Sequence, residues 1–282
     1  MSKPTKKSAA SIRARLLNIA KERKISFQDL LNRFGAEQFL ARLAMSSFSE
    51  RFIFKGGSLL AYLIDTNRQT KDLDFSIRQV SNKVEDALEV VRSIIAIPME
   101  DELTWDPLIG TPLVHPEMEL PGVRIKCTFN LDTARGHLQM DLALGDLVEA
   151  RKILLERIQY RGEALIGPDF KILAYPPETI FSEKLQIAIK RAGKNTRMKD
   201  YYDMFKLCQV ESLEPALIKS SIEKTFAKRS MEVPLLLAFD NAALGRLQLF
   251  WSGFIRKAKI TDAPDSLNDV IKLVNKKIAG HL

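Results

Sequence analysis

Long apolar runs, cysteine and histidine are what this chain of 282 residues has least of. No stretch approaches the roughly 18 consecutive apolar residues that would suggest a membrane span. The N-terminus, Met1-Ser-Lys-Pro-Thr-Lys-Lys7, lacks the apolar core of a secretory signal, so a cytoplasmic location without membrane association is expected. The two cysteines, Cys127 and Cys208, fall in segments that read as buried strand and helix, which favours structural thiols over a disulfide or a reactive site. Three histidines, His115, His137 and His281, and no CxxC pair leave no material for a thiol and imidazole zinc site. Any metal is expected to be bound by oxygen. Internal repeats and low-complexity tracts are absent as well.

What is present is a foldable composition, 46% hydrophobic and 28% charged with a mean hydropathy of -0.10, typical of a soluble globular protein. The charge is basic and uneven. Lys and Arg number 43 against 35 acids, giving +8 and a pI near 9.4. Residues 1–50 carry ten bases and four acids, and the six bases from Lys184 to Lys199 are Lys184, Lys190, Arg191, Lys194, Arg197 and Lys199, with no acid among them. Such clusters concentrate polyanions, so either a phosphate-rich partner or a plain solvated basic surface fits.

Apolar spacing predicts two or three helices over 11–48, with Ser26 as an N-cap and Gly35 as an interruption. The period then changes. Arg51-Phe-Ile-Phe-Lys55 reads as a strand running into Gly56-Gly57, followed by a helix over 58–64, a strand over 71–77 and a helix over 84–95. A proline-bearing loop leads to two alternating segments, 123–129 and 137–144, joined as a hairpin through 132–136. After Pro176-Pro177 helices are expected at 177–191, 198–210, 213–226, 233–257 and 265–279. Strands in the middle with helices at both ends make an α+β protein. Two domains are expected, 1–165 and a helical C-terminal lobe at 166–282.

The chemistry lies in Lys71-Asp72-Leu73-Asp74-Phe75-Ser76-Ile77. Strand alternation puts Leu73, Phe75 and Ile77 on one face and Asp72, Asp74 and Ser76 on the other. Two carboxylates about 7 Å apart at the backbone can converge on one hard cation, which removes their mutual repulsion. His137-Leu-Gln-Met-Asp141-Leu-Ala-Leu144 repeats the pattern and supplies Asp141, a third acid on a second strand. A set of that kind serves two-metal phosphoryl and nucleotidyl transfer. Gly56-Gly57-Ser58, between a strand and a helix, offers close backbone approach and a hydroxyl for a phosphate. Singly, these features have plainer readings: an ordinary turn, a solvated strand face, and an aspartate paired with a nearby arginine.

In this order and spacing they resemble the nucleotidyltransferase superfamily with the polymerase-β-like fold. Arg13-Ala-Arg-Leu-Leu17, Lys55-Gly-Gly-Ser58, Met140-Asp-Leu-Ala-Leu-Gly-Asp146, Glu183-Lys-Leu185 and Asn195-Thr-Arg-Met-Lys-Asp-Tyr-Tyr-Asp203 are similar to the AbiEii/AbiGii toxins and the related MenT toxins of bacterial toxin–antitoxin and abortive-infection systems. The resemblance covers residues 11 to about 210, and no motif is matched in the C-terminal 70 residues. It implies a polymerase-β-like core with a mixed sheet, a triphosphate held by Gly57 and Ser58, and magnesium or manganese held by Asp72, Asp74 and Asp141. Asp141 is implied as the third acid and the base, although Asp146 also belongs to the family pattern. Lys184 is implied at a nucleotide phosphate and Asp200 as a further acid that orients the nucleotide or the lysine, both contributed by the C-terminal lobe. Lys184 also has a plainer place on a helix surface, and Asp203, on the same helix face as Asp200, has one in a pair with Arg197 or Lys199.

Arg191, Lys194, Arg197 and Lys199 would track an RNA backbone, with Tyr201 and Tyr202 either stacking on a base or packing in the core. The expected activity is transfer of a nucleoside monophosphate from an NTP to RNA, with the tRNA 3′ end as acceptor and pyrophosphate released. The resemblance implies that translation and growth would stop as a result and that a cognate antitoxin would be encoded nearby. The alternatives are nucleotidyl or phosphoryl transfer to a small molecule or a protein, and a non-catalytic nucleic-acid-binding protein of the same fold.

Overall fold

The structure, a computed structural model, describes residues 7–64, 72–81, 83–113, 122–144, 149–210, 213–233 and 235–279. The chain divides into two compact units. The first takes in the described residues up to Tyr175 other than Leu63 and Ile64, and the second contains Pro176–Leu282.

The first unit opens with α1 (Ala9–Glu22) and α2 (Phe27–Met45), whose first turns are capped by the hydroxyls of Ser8 and Ser26 accepting from the amides of Ser11 and Asp29. Helix α2 passes straight through Gly35 rather than stopping there. The residue is glycine because the ring of Phe129 fills the place of its Cβ, at 2.2 Å, and the same ring lies 2.1 Å from the Cβ position of Gly136.

Next come β1 (Phe52–Lys55), α3 (Gly56–Leu63), β2 (Asp72–Ile77) and α4 (Val84–Ile95). The segment read as a proline loop contains two short strands, β3 (Thr104–Trp105) and β4 (Ile109–Leu113). Among the described residues β4 pairs with β5 alone, and an edge strand is where a proline such as Pro112 is tolerated. The hairpin of β5 (Gly122–Leu131) and β6 (Ala134–Leu144) turns on two residues, with Asp132 at φ 54°, and not on the five expected. Residues 151–174, left without an assignment by periodicity, form β7 (Arg151–Leu155), β8 (Gln159–Tyr160), β9 (Glu163–Ala164) and β10 (Phe170–Ala174).

Among the described residues the main sheet is mixed, in the order β3-β5-β6-β2-β1-β10-β7, with β4 also on β5. Strands β2 and β6 run parallel, as do β1 and β10. One face of the sheet is apolar. Phe75 of β2 packs against Phe52, Phe54 and Phe39, ring centroids 5.4 to 6.2 Å apart, while Phe129 and Leu131 join the core of α1 and α2. Burial of that face compels the alternate residues of β2, β5 and β6 to point the other way.

The second unit is helical: α5 (Pro177–Arg191), α6 (Met198–Cys208), α7 (Pro215–Lys228), α8 (Asn241–Ala258) and α9 (Leu267–Ala279). Its core includes Ile218, Phe226, Leu247, Trp251, Val270 and Val274. Helix α8 starts at Asn241, where Asp240 caps it, and not at 233. Burial pushes the thiols of Cys127 and Cys208 up to about 12, the setting of inert structural cysteines. Among the described residues no helix is long and apolar enough to cross a membrane.

Candidate active site

Strand register lines up four charged residues across the polar face of the first unit's sheet. Lys55 of β1 stands opposite Asp74 of β2, Asp74 opposite Asp141 of β6, and Asp141 opposite Arg124 of β5. Neighbouring strands lie about 4.8 Å apart, so the two aspartates face one another directly, and Asp72 follows on the same face of β2. Arg124 grips Asp141 with two bonds, Nε to Oδ1 at 2.8 Å and Nη2 to Oδ2 at 2.6 Å. Those bonds raise the Arg124 pKa above its ordinary value, and the fields of Asp72 and Asp74 add to them. The pairing of Asp141 with an arginine and its place in the acidic row are thus both realised.

Beside the row, α3 begins. Gly56 has φ +76°, and a Cβ there would lie 2.3 Å from Oδ2 of Asp74, so the glycine lets the chain turn and lets the carboxylate come against its backbone. One residue past Gly57, Ser58 is 5% exposed, and its hydroxyl oxygen is buried without a hydrogen-bond partner among the described residues. A buried unpaired hydroxyl costs free energy, and a bound ligand would satisfy it. The donor set suits magnesium in kind, since Asp72, Asp74 and Asp141 offer only oxygens on one face. Among the described residues no three acidic, cysteine or histidine side chains are gathered closely enough to hold an ion, and both oxygens of Asp141 are on Arg124.

In the second unit a buried ionic cluster joins α5 to α6. Lys184 Nζ lies 2.8 Å from Asp200 Oδ1 and 2.7 Å from Asp203 Oδ2, and Arg197 Nε lies 2.6 Å from Asp200 Oδ2. Lys184 is 8% exposed and both aspartates at most 1%. Burial works against the charge of Lys184, but Asp203 and Asp200 outweigh it and hold the ammonium above its ordinary range. Burial likewise opposes the charge of Asp200, and Lys184 with Arg197 reverses the balance, so its pKa falls below the usual carboxylate value. Lys184 is therefore no surface lysine.

Lys194 and Lys199 are exposed and Arg191 half-buried, whereas Arg197 is tied to Asp200. Tyr201 and Tyr202 are fully buried, and Tyr202 donates its hydroxyl proton to Asp262 at 3.0 Å, so as folded neither ring is open to a base. Lys71 and Asp146 lie outside the described residues. Two members of the ionic arrangement escaped sequence reasoning, Arg124 in the first unit and Asp203 as a partner of Lys184 in the second. A two-residue turn at Asp132-Thr133 is the signal for Arg124, because it sets that residue opposite Asp141, where the longer turn would have set Cys127.

Residues 38–272 match the model of a family described as nucleotidyl transferase AbiEii toxin, type IV toxin–antitoxin system. The chain belongs to the AbiEii toxin family. The match runs through the C-terminal helices to residue 272, well past the Asn195–Asp203 motif, and it leaves residues 1–37 outside. Membership in the AbiEii family implies nucleotidyl transfer in a toxin–antitoxin setting and a cognate antitoxin. Among solved structures, an antigenic nucleotidyltransferase-like protein from Paracoccidioides brasiliensis is similar over 69% of this chain and 89% of its own, at 13% identity and a TM-score of 0.35. No curated protein matches the chain.

Proposed function

We propose that this AbiEii toxin transfers a nucleoside monophosphate from an NTP to the 3′-terminal hydroxyl of tRNA and releases pyrophosphate, which stops translation. The reading rests on the facing pair Asp74 and Asp141 beside a helix start where the Ser58 hydroxyl has no partner among the described residues. In the reaction the acceptor oxygen bonds to the α-phosphorus, the bond from that phosphorus to the pyrophosphate oxygen breaks, and the hydroxyl proton passes to Asp141.

Gly57 and Ser58 bind the triphosphate at the start of α3. Asp72 and Asp74, joined by Asp141, would hold magnesium or manganese. When bound, such ions lower the pKa of the attacking hydroxyl and neutralise the leaving group. Lys184, kept charged by its two carboxylates, binds a nucleotide phosphate, and Asp200 fixes the position of that lysine. Lys194 and Lys199 carry the RNA backbone, with Arg191 beside them.

The test is purified protein incubated with total tRNA, magnesium and each labelled NTP in turn, with Asp74→Ala as control. Label is expected in RNA for at least one NTP and only with the unmutated protein. In cells the wild type is expected to arrest growth and Asp74→Ala is not. No label from any NTP, or equal toxicity of the two proteins, would remove the catalytic reading.

A further inference from the structure

The polar face of the first unit continues beyond the acidic row. Strand β6 runs past the start of β2, and there its edge is covered by α2, with the amide of His137 donating to Asn32 Oδ1 at 2.8 Å. Between this corner and β4 lies a cavity of about 450 Å³, within the range of sites that hold small organic ligands. Asp72, Gln139 and Lys126 line it, and Gln139 and Lys126 stand opposite one another across β6 and β5. Its walls include Pro107 and Ile109, and Ile109 is 65% exposed.

Basic residues outnumber acids in the lining. Lys126, Arg135 and His137 are exposed, and Asp72 is the only acid that lines it among the described residues. Apolar walls with a basic rim suit a nucleobase between them and its phosphate on the rim. Position then decides which nucleotide. The strand order β4-β5-β6-β2-β1 puts α3, with Ser58, on the β1 side of the acids and the cavity on the β5 side. A triphosphate at Ser58 therefore leaves the cavity on the opposite flank of the reacting centre, where an acceptor hydroxyl has to enter.

We propose that this cavity binds the 3′-terminal nucleotide of a single-stranded RNA acceptor, with its base against Ile109 and Pro107 and its phosphate on Lys126. The inference rests on the transferase reading and adds the acceptor side of the same site.

Lys126→Glu and Ile109→Asp are suitable variants, because both side chains are exposed and melting curves should stay close to that of the wild type. The affinity for a short single-stranded RNA is measured by fluorescence anisotropy without NTP, and KM for RNA and for NTP is measured in the transfer assay. Each variant is expected to weaken RNA binding by about tenfold or more and to raise the KM for RNA equally, with the KM for NTP unchanged. A rise in the KM for NTP alone would reassign the cavity to the donor base, and no change in either would leave it without a role; both outcomes overturn the inference while the transferase reading stands. If the wild type transfers to no RNA, anisotropy decides by itself. RNA binding that is lost in both variants then upholds the cavity without the reaction, and absence of wild-type RNA binding overturns it.

Discussion

Gly56 is used twice over. Its φ of +76° belongs to the left-handed region, and the space its Cβ would take is held by Oδ2 of Asp74 at 2.3 Å. Gly162 shares the conformation, at φ +80°, but has nothing within 4 Å of its Cβ position, so it isolates the backbone cost. Alanine at either site should cost about 1–3 kcal/mol in strain. Only Gly56→Ala also has to displace a carboxylate, and a shift of about 1 Å in a reacting centre can cost about 100-fold in rate. Gly162→Ala is therefore expected to lower the melting temperature with transfer intact, and Gly56→Ala to lose transfer well beyond its loss of stability. Equal residual activities in the two variants would contradict this role for the glycine. The acids and this glycine could be read from the chain because alternation and a doublet of glycines are local signals. Arg124 could not, since its partnership with Asp141 depends on the register of a hairpin, and a shift of three residues in the turn changes every pair.

At the level of elements, the join of α5 to α6 rests on opposite charges buried together. The sign of each shift fixes its pH dependence. Asp200, lowered from 3.8, contributes stability that is present above that value and lost as pH falls through its folded pKa. Lys184, raised from 10.5, contributes stability that is present below that value and lost as pH rises through its own. Between these limits the pair adds no slope. Lys184→Met leaves Asp200 and Asp203 buried with the lysine gone, which should cost about 3–5 kcal/mol at neutral pH. Without the lysine that lowers it, the Asp200 pKa then moves up, and the variant is expected to regain stability as pH is lowered from 7 to 5 while the wild type does not. Denaturant titrations at the two pH values measure this, and a deficit that is the same at both would show that the lysine does not neutralise the carboxylates. The helices themselves were legible, as α4 and α5 show by ending where their periodicity ends. Strands β7 and β10 were not. Lys152, Lys171 and the turn residues between the strands interrupt any clean alternation, and the interior place of β10, between β7 and β1, comes from pairing with β1, a partner more than a hundred residues away.

For the whole molecule, the excess of +8 gives the proposed partner its physical footing, because attraction of RNA is set by cations that meet phosphates. On single strands each such contact adds about 0.7 to the slope of log affinity against log salt. In the first unit Lys126 and Arg135 are both exposed, but they are not equivalent. Nη2 of Arg135 lies 2.7 Å from Asp106, which also accepts from Thr128 and Asn130, so part of its charge is already offset. Lys126→Gln is therefore expected to lower the salt slope for RNA by about 0.7, and adding Arg135→Gln should lower it by less than a second 0.7. A small-molecule acceptor predicts something different: with few phosphates to meet, its affinity would change little with salt and the two substitutions would leave that dependence unaltered. Anisotropy titrations with RNA from about 50 to 200 mM salt measure the slope, and a slope that Lys126→Gln leaves unchanged would show that this lysine meets no RNA phosphate.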